Sequence, residues 1–305
     1  MLHTPILFLV FNRLEQAMLV FEKIRLQQPD QLFIAADGPR ADQPEEAATC
    51  ELVRMAVLNR VDWPCKVETL FRTDNLGCGK AVSSAIDWFF SHVEEGIILE
   101  DDCVPDGTFF SFCTTLLKRY QQDENIMHIN GSNYQLGMPR GDGSYYFSRF
   151  AHVWGWATWR RAWKHYDFSL FRYRNFPRQG LNIFLQTELQ SIYDAQTDTW
   201  DIQWFMTVWF NKGWVITPNV SLVKNIGYGE QATHTHAIPQ WFNKIQYGKI
   251  AEIRHPETNN IDEEADSYTV NTLYNPSRIT MRLKKIVKNN AVLYNWYKRI
   301  YRSVN

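Results

Sequence analysis

The sequence predicts an α/β chain built on a mostly parallel, doubly wound sheet flanked by helices. Two observations carry this. Short continuous apolar runs alternate with helical periodicity through the first 130 of 305 residues. Nearly every run stops at a loop carrying carboxylates, glycine or arginine, as strands do at the ligand-binding edge of such a sheet. Ile6–Phe11 is a run suited to a strand buried on both faces. Leu14–Arg25 follows with Ala17, Phe21 and Ile24 at helical spacing. Gln31–Ala36 is a second strand, stopped by Asp37-Gly38-Pro39. A helix over Glu45–Asn59, a strand over Lys66–Phe71, a loop over Arg72–Gly79 and a helix over Lys80–His92 come next. The strand Gly96–Leu99 closes on Glu100-Asp101-Asp102, and a helix over Gly107–Tyr120 and a strand over Ile126–Asn130 complete the alternation. Strand–helix–strand repeats imply right-handed crossovers and parallel neighbours.

Beyond Gly131 the pattern loosens. Residues 145–173 hold twelve aromatics, three times the share expected from the chain's 15%. Asp201–Phe210 reads as a helix, Trp214–Ile216 as a short strand, and Pro239–Asn275 as polar and irregular. Ile279–Tyr301 has apolar residues at mostly helical spacing.

Composition narrows the function. Apolar residues at 45% and charged residues at 21% describe a globular chain. A net charge of −1 makes no case for nucleic acid as a partner. The charge is uneven, though: Pro276–Asn305 carries eight basic residues and no acidic one, leaving the rest at −9. That tail reads as an interfacial helix for an anionic membrane surface, or as a helix packed on the protein. The five cysteines, Cys50, Cys65, Cys78, Cys103 and Cys113, include no CxxC pair, so reduced thiols and a cytoplasmic setting are expected. The run at Pro5–Phe11 lacks the flanks of a signal peptide, and no stretch approaches a membrane span.

Four loops share the predicted carboxyl edge of the sheet. Glu100-Asp101-Asp102 places three carboxylates together, where they repel unless a cation compensates. Hard oxygen ligands favour Mg²⁺ or Mn²⁺ with phosphates completing the shell; the alternative is a solvated acidic turn. Asp37 could meet a base or ribose, or only shape its turn. Arg13 suits a phosphate, unless Asn12-Arg13 merely caps the next helix. Arg72 and the loop Asn75–Lys80 offer close backbone approach and a helix N-terminus to an anion. Trp154, Trp156, Trp159 and Trp163 are either core or an acceptor-stacking surface, with Trp154 and Trp156 placed nearer solvent than Trp163.

The N-terminal half resembles a GT-A-fold nucleotide-diphospho-sugar glycosyltransferase, a Rossmann-like fold. The residues that carry the likeness are FLVFNR (8–13), AADGPR (35–40), RTDNLGCGKAVSSAIDWFF (72–90) and IILEDDCVPDGTFF (97–110). Its EDD form and FNR opening resemble the N-acetylglucosaminyltransferase I-like group and bacterial hemolytic-protein-like relatives. The likeness continues through WGWATWRRAW (154–163), WDIQW (200–204) and PNVSLVKNIGYGEQATHTH (218–236), and stops before the tail. It implies a nucleotide-sugar-binding half over 1–135 and an acceptor half over 136–275; the basic amphipathic tail over 276–305 is read as a separate helix from its own spacing and charge. The likeness also implies that Asp102 holds the divalent metal, Asp101 approaches ribose or donor sugar, and Arg13 and Asp37 lie on the nucleotide. Lys80 would sit near the diphosphate or donor sugar.

An inverting transfer needs a base for the acceptor hydroxyl. Asp201 is the candidate, Asp198 its rival, and Glu230 the outsider; the plain alternative for Asp201 is a helix N-terminal charge. His234, with His236, could add a metal or phosphate contact or belong to a polar loop, and Tyr228 with its flanking glycines suggests a donor-covering loop. The expected partners are a nucleotide-sugar donor, UDP-linked by preference, and a glycan or lipid-linked saccharide acceptor at the inner face of a membrane. A sugar-1-phosphate nucleotidyltransferase is the competing enzyme, but FNRLEQA lacks the early glycine-rich loop it would need. A carbohydrate-binding protein would need neither the acidic strand end nor Arg13.

Overall fold

The computed structural model describes residues 1–227 and 239–274. In chain order the first half runs β1 (Ile6–Val10), α1 (Leu14–Arg25), β2 (Gln31–Ala36), α2 (Glu46–Leu58), β3 (Lys66–Phe71), α3 (Cys78–His92), β4 (Glu95–Glu100), β5 (Cys103–Pro105), α4 (Gly107–Arg119) and β6 (Ile126–Asn130). The second half adds β7 (Tyr145–Ser148), β8 (Trp156–Trp159), α5 (Arg160–Trp163), α6 (Ile183–Tyr193), α7 (Asp201–Phe210), β9 (Trp214–Pro218), β10 (Val223–Asn225) and α8 (Glu263–Leu273).

Eight strands form one sheet in the order β3-β2-β1-β4-β8-β6-β9-β7. The β3-β2-β1-β4 portion is parallel, as the alternation predicts. Each strand there feeds opposite cores with alternate residues. Ile6, Phe8 and Val10 pack with α1, α2 and α4, while Leu7 and Leu9 pack with α3 and α7. A third cluster, including Leu185, Leu189, Phe205 and Phe210, joins α6 to α7.

The sheet departs from the simple alternation at β8. This strand lies antiparallel between β4 and β6, with Ala157 opposite both Ile97 and Ile129. The insertion needs close backbone contact at its entry. Gly131 N–H donates to Gly155 O at 2.8 Å, and a Cβ on Gly131 would come within 2.4 Å of that oxygen. Gly155 itself turns with φ +60°. The aromatic run is therefore largely core. Trp156 is 0% exposed and stacks on His128 and Trp200, and Trp159 and Trp163 are buried too. Placing Trp156 near solvent is corrected here: its side chain points into the packed layer behind the sheet, and Trp154 alone of the four faces the cleft described below.

All five cysteines are free thiols. No helix among the described residues is long and apolar enough to cross a membrane. Tyr228, Glu230, His234, His236 and the basic tail lie outside the described residues.

Candidate active site

A cleft of about 890 Å³ opens at the carboxyl edge of β1, β2 and β4, and α7 forms part of its wall. Arg13, Asp37, Arg72, Asp101, Asp102 and Asp201 all line it. Lys80 does not. Its side chain is exposed on the first turn of α3, outside the cleft lining.

The acidic edge is built on a buried strand. Ile97, Ile98 and Leu99 are fully buried, which fixes where β4 delivers Glu100, Asp101 and Asp102. Asp101 and Asp102 make the turn into β5, which pairs antiparallel with β10. That pairing brings Asn225 alongside: its Nδ2 donates to Asp102 Oδ1 at 3.3 Å, and Ile226 N–H donates to the Asp102 carbonyl at 2.8 Å. Arg13 crosses from the end of β1, donating from one nitrogen to Asp102 Oδ2 at 3.1 Å and from another to Asp101 Oδ1. Asp101 Oδ2 stays buried with no hydrogen-bond partner. Burial first, and the neighbouring carboxylates next, push Glu100 well above the ordinary carboxylate range. Burial also raises Asp101, against the pull of Arg13.

Arg13 reaches these carboxylates because it is not spent on capping. It occupies the N-cap position of α1 without a side-chain cap, and Asn12, the other capping candidate, instead donates to Glu46 Oε1 at 2.8 Å.

The loops after β2 and β3 are laced together. Asp37 accepts the Leu76 N–H at 3.1 Å, and Asn75 Nδ2 donates to Gly38 O at 2.7 Å. Arg54 donates to the carbonyls of both Asp37 and Arg72. A Cβ on Gly38 would lie 2.4 Å from the Asp74 backbone, so the approach requires glycine. Arg72 donates to Ser84 Oγ at 2.9 Å and has no carboxylate within ion-pair distance among the described residues. Burial lowers its affinity for its proton, and Asp37 partly restores it. A half-buried cation facing a cleft is suited to an anionic ligand.

The N-terminus of α3 is not free for that ligand as the loop sequence suggested. Asp198 supplies the anion from within: its Oδ1 accepts the Gly79 N–H at 2.9 Å. Cβ atoms on Gly77 and Gly79 would fall 2.6 and 2.7 Å from its carboxylate. Asp198 is thus tied into the glycine loop. Asp201, one turn on, opens α7, lines the cleft, and accepts a hydrogen bond from Thr199 Oγ1.

The cleft has a second, aromatic end that the sequence alone did not single out beyond Trp154. Tyr134, His152, Trp154 and Trp241 line it together. Tyr134 meets His152 edge-on at 4.5 Å, and Trp241 at 5.3 Å. Burial lowers His152 to about 3, so its imidazole is neutral at ordinary pH. No local motif marks His152; it is found only because β8 carries residues 151–154 to the cleft.

No protein-family model matches the chain, and no curated protein matches it. Among solved structures it is similar to a UDP-glucose pyrophosphorylase complexed with UDP-glucose, at 9% identity and TM-score 0.41, over 72% of this chain and 90% of that one. It is also similar to HddC from Yersinia pseudotuberculosis, at 11% and 0.31, over 52% and 77%. A third is 4-diphosphocytidyl-2C-methyl-D-erythritol synthase from Anaerococcus prevotii, at 7% and 0.35, over 72% and 91%. Scores of this size leave the functional argument to the cleft itself.

Proposed function

We propose that this chain is an inverting, metal-dependent glycosyltransferase that moves a sugar from a nucleotide-diphosphate donor, UDP by preference, to a hydroxyl of a glycan or lipid-linked saccharide. One observation carries the reading: Asp101 and Asp102, at the end of a buried strand, share a single cleft with the cations Arg13 and Arg72 and with Asp201. A nucleotide diphosphate offers charge to the cations, and the acidic pair offers hard oxygens to a divalent ion.

The donor set fits Mn²⁺ or Mg²⁺. Asp101 Oδ2 is a buried carboxylate oxygen with no partner. No group of three ligating side chains among the described residues would cage an ion unaided. Asp102 and Asp101 would hold it jointly with donor phosphates, the usual arrangement for Mg²⁺. The ion would supply charge stabilisation for the departing diphosphate. His234, assigned to this ion from sequence, lies outside the described residues.

The chain's own residues do the rest. Arg72 and Arg13 bind phosphate oxygens, and Asp37 orients the nucleoside from the laced loops. The acceptor oxygen attacks the anomeric carbon as its bond to the diphosphate breaks, and Asp201 takes the hydroxyl proton. Asp198 also lines the cleft but is the poorer base because both its oxygens lie against the glycine loop, one accepting the Gly79 N–H and the other beside Gly77.

Release of UDP from UDP-sugars with Mn²⁺, with and without saccharide acceptors, tests this. Asp201→Asn should lose about 10²–10⁴ in kcat with donor affinity kept. Activity within a few-fold in Asp201→Asn, with Asp198→Asn inactive, would move the base to Asp198. Pyrophosphate-dependent formation of UTP instead of UDP release would replace the transferase by a nucleotidyltransferase.

A further inference from the structure

Arg13 stands where a divalent ion would have to come. Its guanidinium spans both carboxylates of the acidic edge, and all three side chains are largely shielded: Arg13 is 19% exposed, Asp101 4% and Asp102 16%. The contact on Asp102 is made to Oδ2. The other oxygen, Oδ1, is already approached by Asn225 Nδ2 and by the Cys103 thiol, each at 3.3 Å. Oδ2 is also walled by backbone, since a Cβ on Gly227 would fall 2.1 Å from it. On Asp102, the oxygen left for a metal is thus the one that Arg13 occupies, while the partnerless oxygen of the pair, Asp101 Oδ2, is buried.

Charge makes the competition one-sided. Two carboxylates carry −2 and Arg13 returns +1, so the pair remains under-compensated, consistent with the partnerless Asp101 Oδ2. A bare divalent ion would have to displace a well-placed guanidinium or sit beside it as a like charge, and hard ions shed water reluctantly. A metal arriving with a diphosphate changes this, because the phosphate offers Arg13 a new bidentate partner of the same geometry.

We propose that Arg13 is the resident counter-cation of the acidic edge, exchanging from Asp101 and Asp102 onto phosphate, so that the protein binds divalent metal poorly alone and well only as a metal–nucleotide complex. The inference rests on the reading of this edge as a metal–diphosphate site, and deepens it by giving binding an order.

The test is calorimetric titration with Mn²⁺ alone, then with Mn²⁺ in the presence of UDP, on the full chain and on Arg13→Gln. Mn²⁺ affinity without nucleotide should rise about tenfold or more in Arg13→Gln, the order expected when a like charge a few ångströms away is removed. UDP should tighten Mn²⁺ binding strongly in the unaltered protein and far less in the variant. Arg13→Gln/Asp102→Asn, which restores the charge balance, should lose the gain. Should Arg13→Gln fail to fold, Arg13→Lys keeps the charge without the fork and should show a smaller gain in the same direction. Mn²⁺ affinity that falls or stays level on losing Arg13 overturns the inference alone. Absence of Mn²⁺ binding to every variant, with UDP present, overturns this inference and the proposed function together.

Discussion

Single side chains divide the labour of the cleft by what already holds them. Asp198 and Asp201 are three residues apart and both line the cleft, yet Asp198 is tied into the glycine loop through the Gly79 N–H while Asp201 opens α7. The two asparagine variants should therefore fail differently. Asp201→Asn loses turnover, whereas Asp198→Asn weakens the acceptor of a charge-assisted bond and lowers stability by about 1–3 kcal/mol. His152 illustrates a different constraint. Burial takes it down to about 3, so it can exchange hydrogen bonds with a sugar but cannot serve as a titrating base near neutral pH. The acid limb of a kcat/KM profile should stay in place in His152→Asn while KM for the acceptor rises. A limb that moves with this substitution would show that the imidazole is titrating.

The loop after β2 makes a matching prediction for elements. Gly38→Ala drives a methyl into the Asp74 backbone, which cannot swing aside as a side chain would. Overpacking of this kind typically costs about 1–3 kcal/mol. Because the same contact sets Asp37 and Asn75, nucleotide affinity should drop with thermal stability; an unchanged melting temperature would contradict the lacing. β1, α1, β2, α2, β3, α3, β4, α4 and β6 were legible in the sequence because each is a continuous segment long enough to show its period. β5 and β10 were not, since three residues show no period and their pairing joins positions over a hundred residues apart. Insertion of β8 between β4 and β6 is likewise non-local, and WATW alone does not tell strand from helix. α8 carried a readable start, with Asp262 accepting the Ala265 N–H and acids at 263, 264 and 266, but its polar composition masked it inside an irregular stretch. At the cleft, residues at strand ends were legible from position. Asn225 and His152 were not, because only the strand pairing brings them there.

Across the whole molecule, the aromatic layer behind the sheet sets a pH dependence. His128 is 0% exposed, stacked on Trp156, and accepts the Trp204 indole N–H at 3.0 Å. Burial lowers it from an ordinary 6.5 to about 4. The unfolded chain takes up this proton near pH 6.5 and the folded chain only near pH 4. Stability from this group is therefore full above pH 6.5 and falls as pH drops between the two, by about 3 kcal/mol in all. Urea midpoints measured from pH 7 to 4 should fall, and less steeply in His128→Gln; equal slopes would remove the assignment. The central claim, that this fold gathers an acidic strand end and two arginines around a metal–nucleotide complex, is tested most directly by calorimetry of UDP with Mn²⁺ on the unaltered protein and on Asp102→Ala. The account predicts binding that requires Mn²⁺ in the former and is lost in the latter while the melting transition stays cooperative. Undiminished Mn²⁺-dependent UDP binding in Asp102→Ala would contradict it.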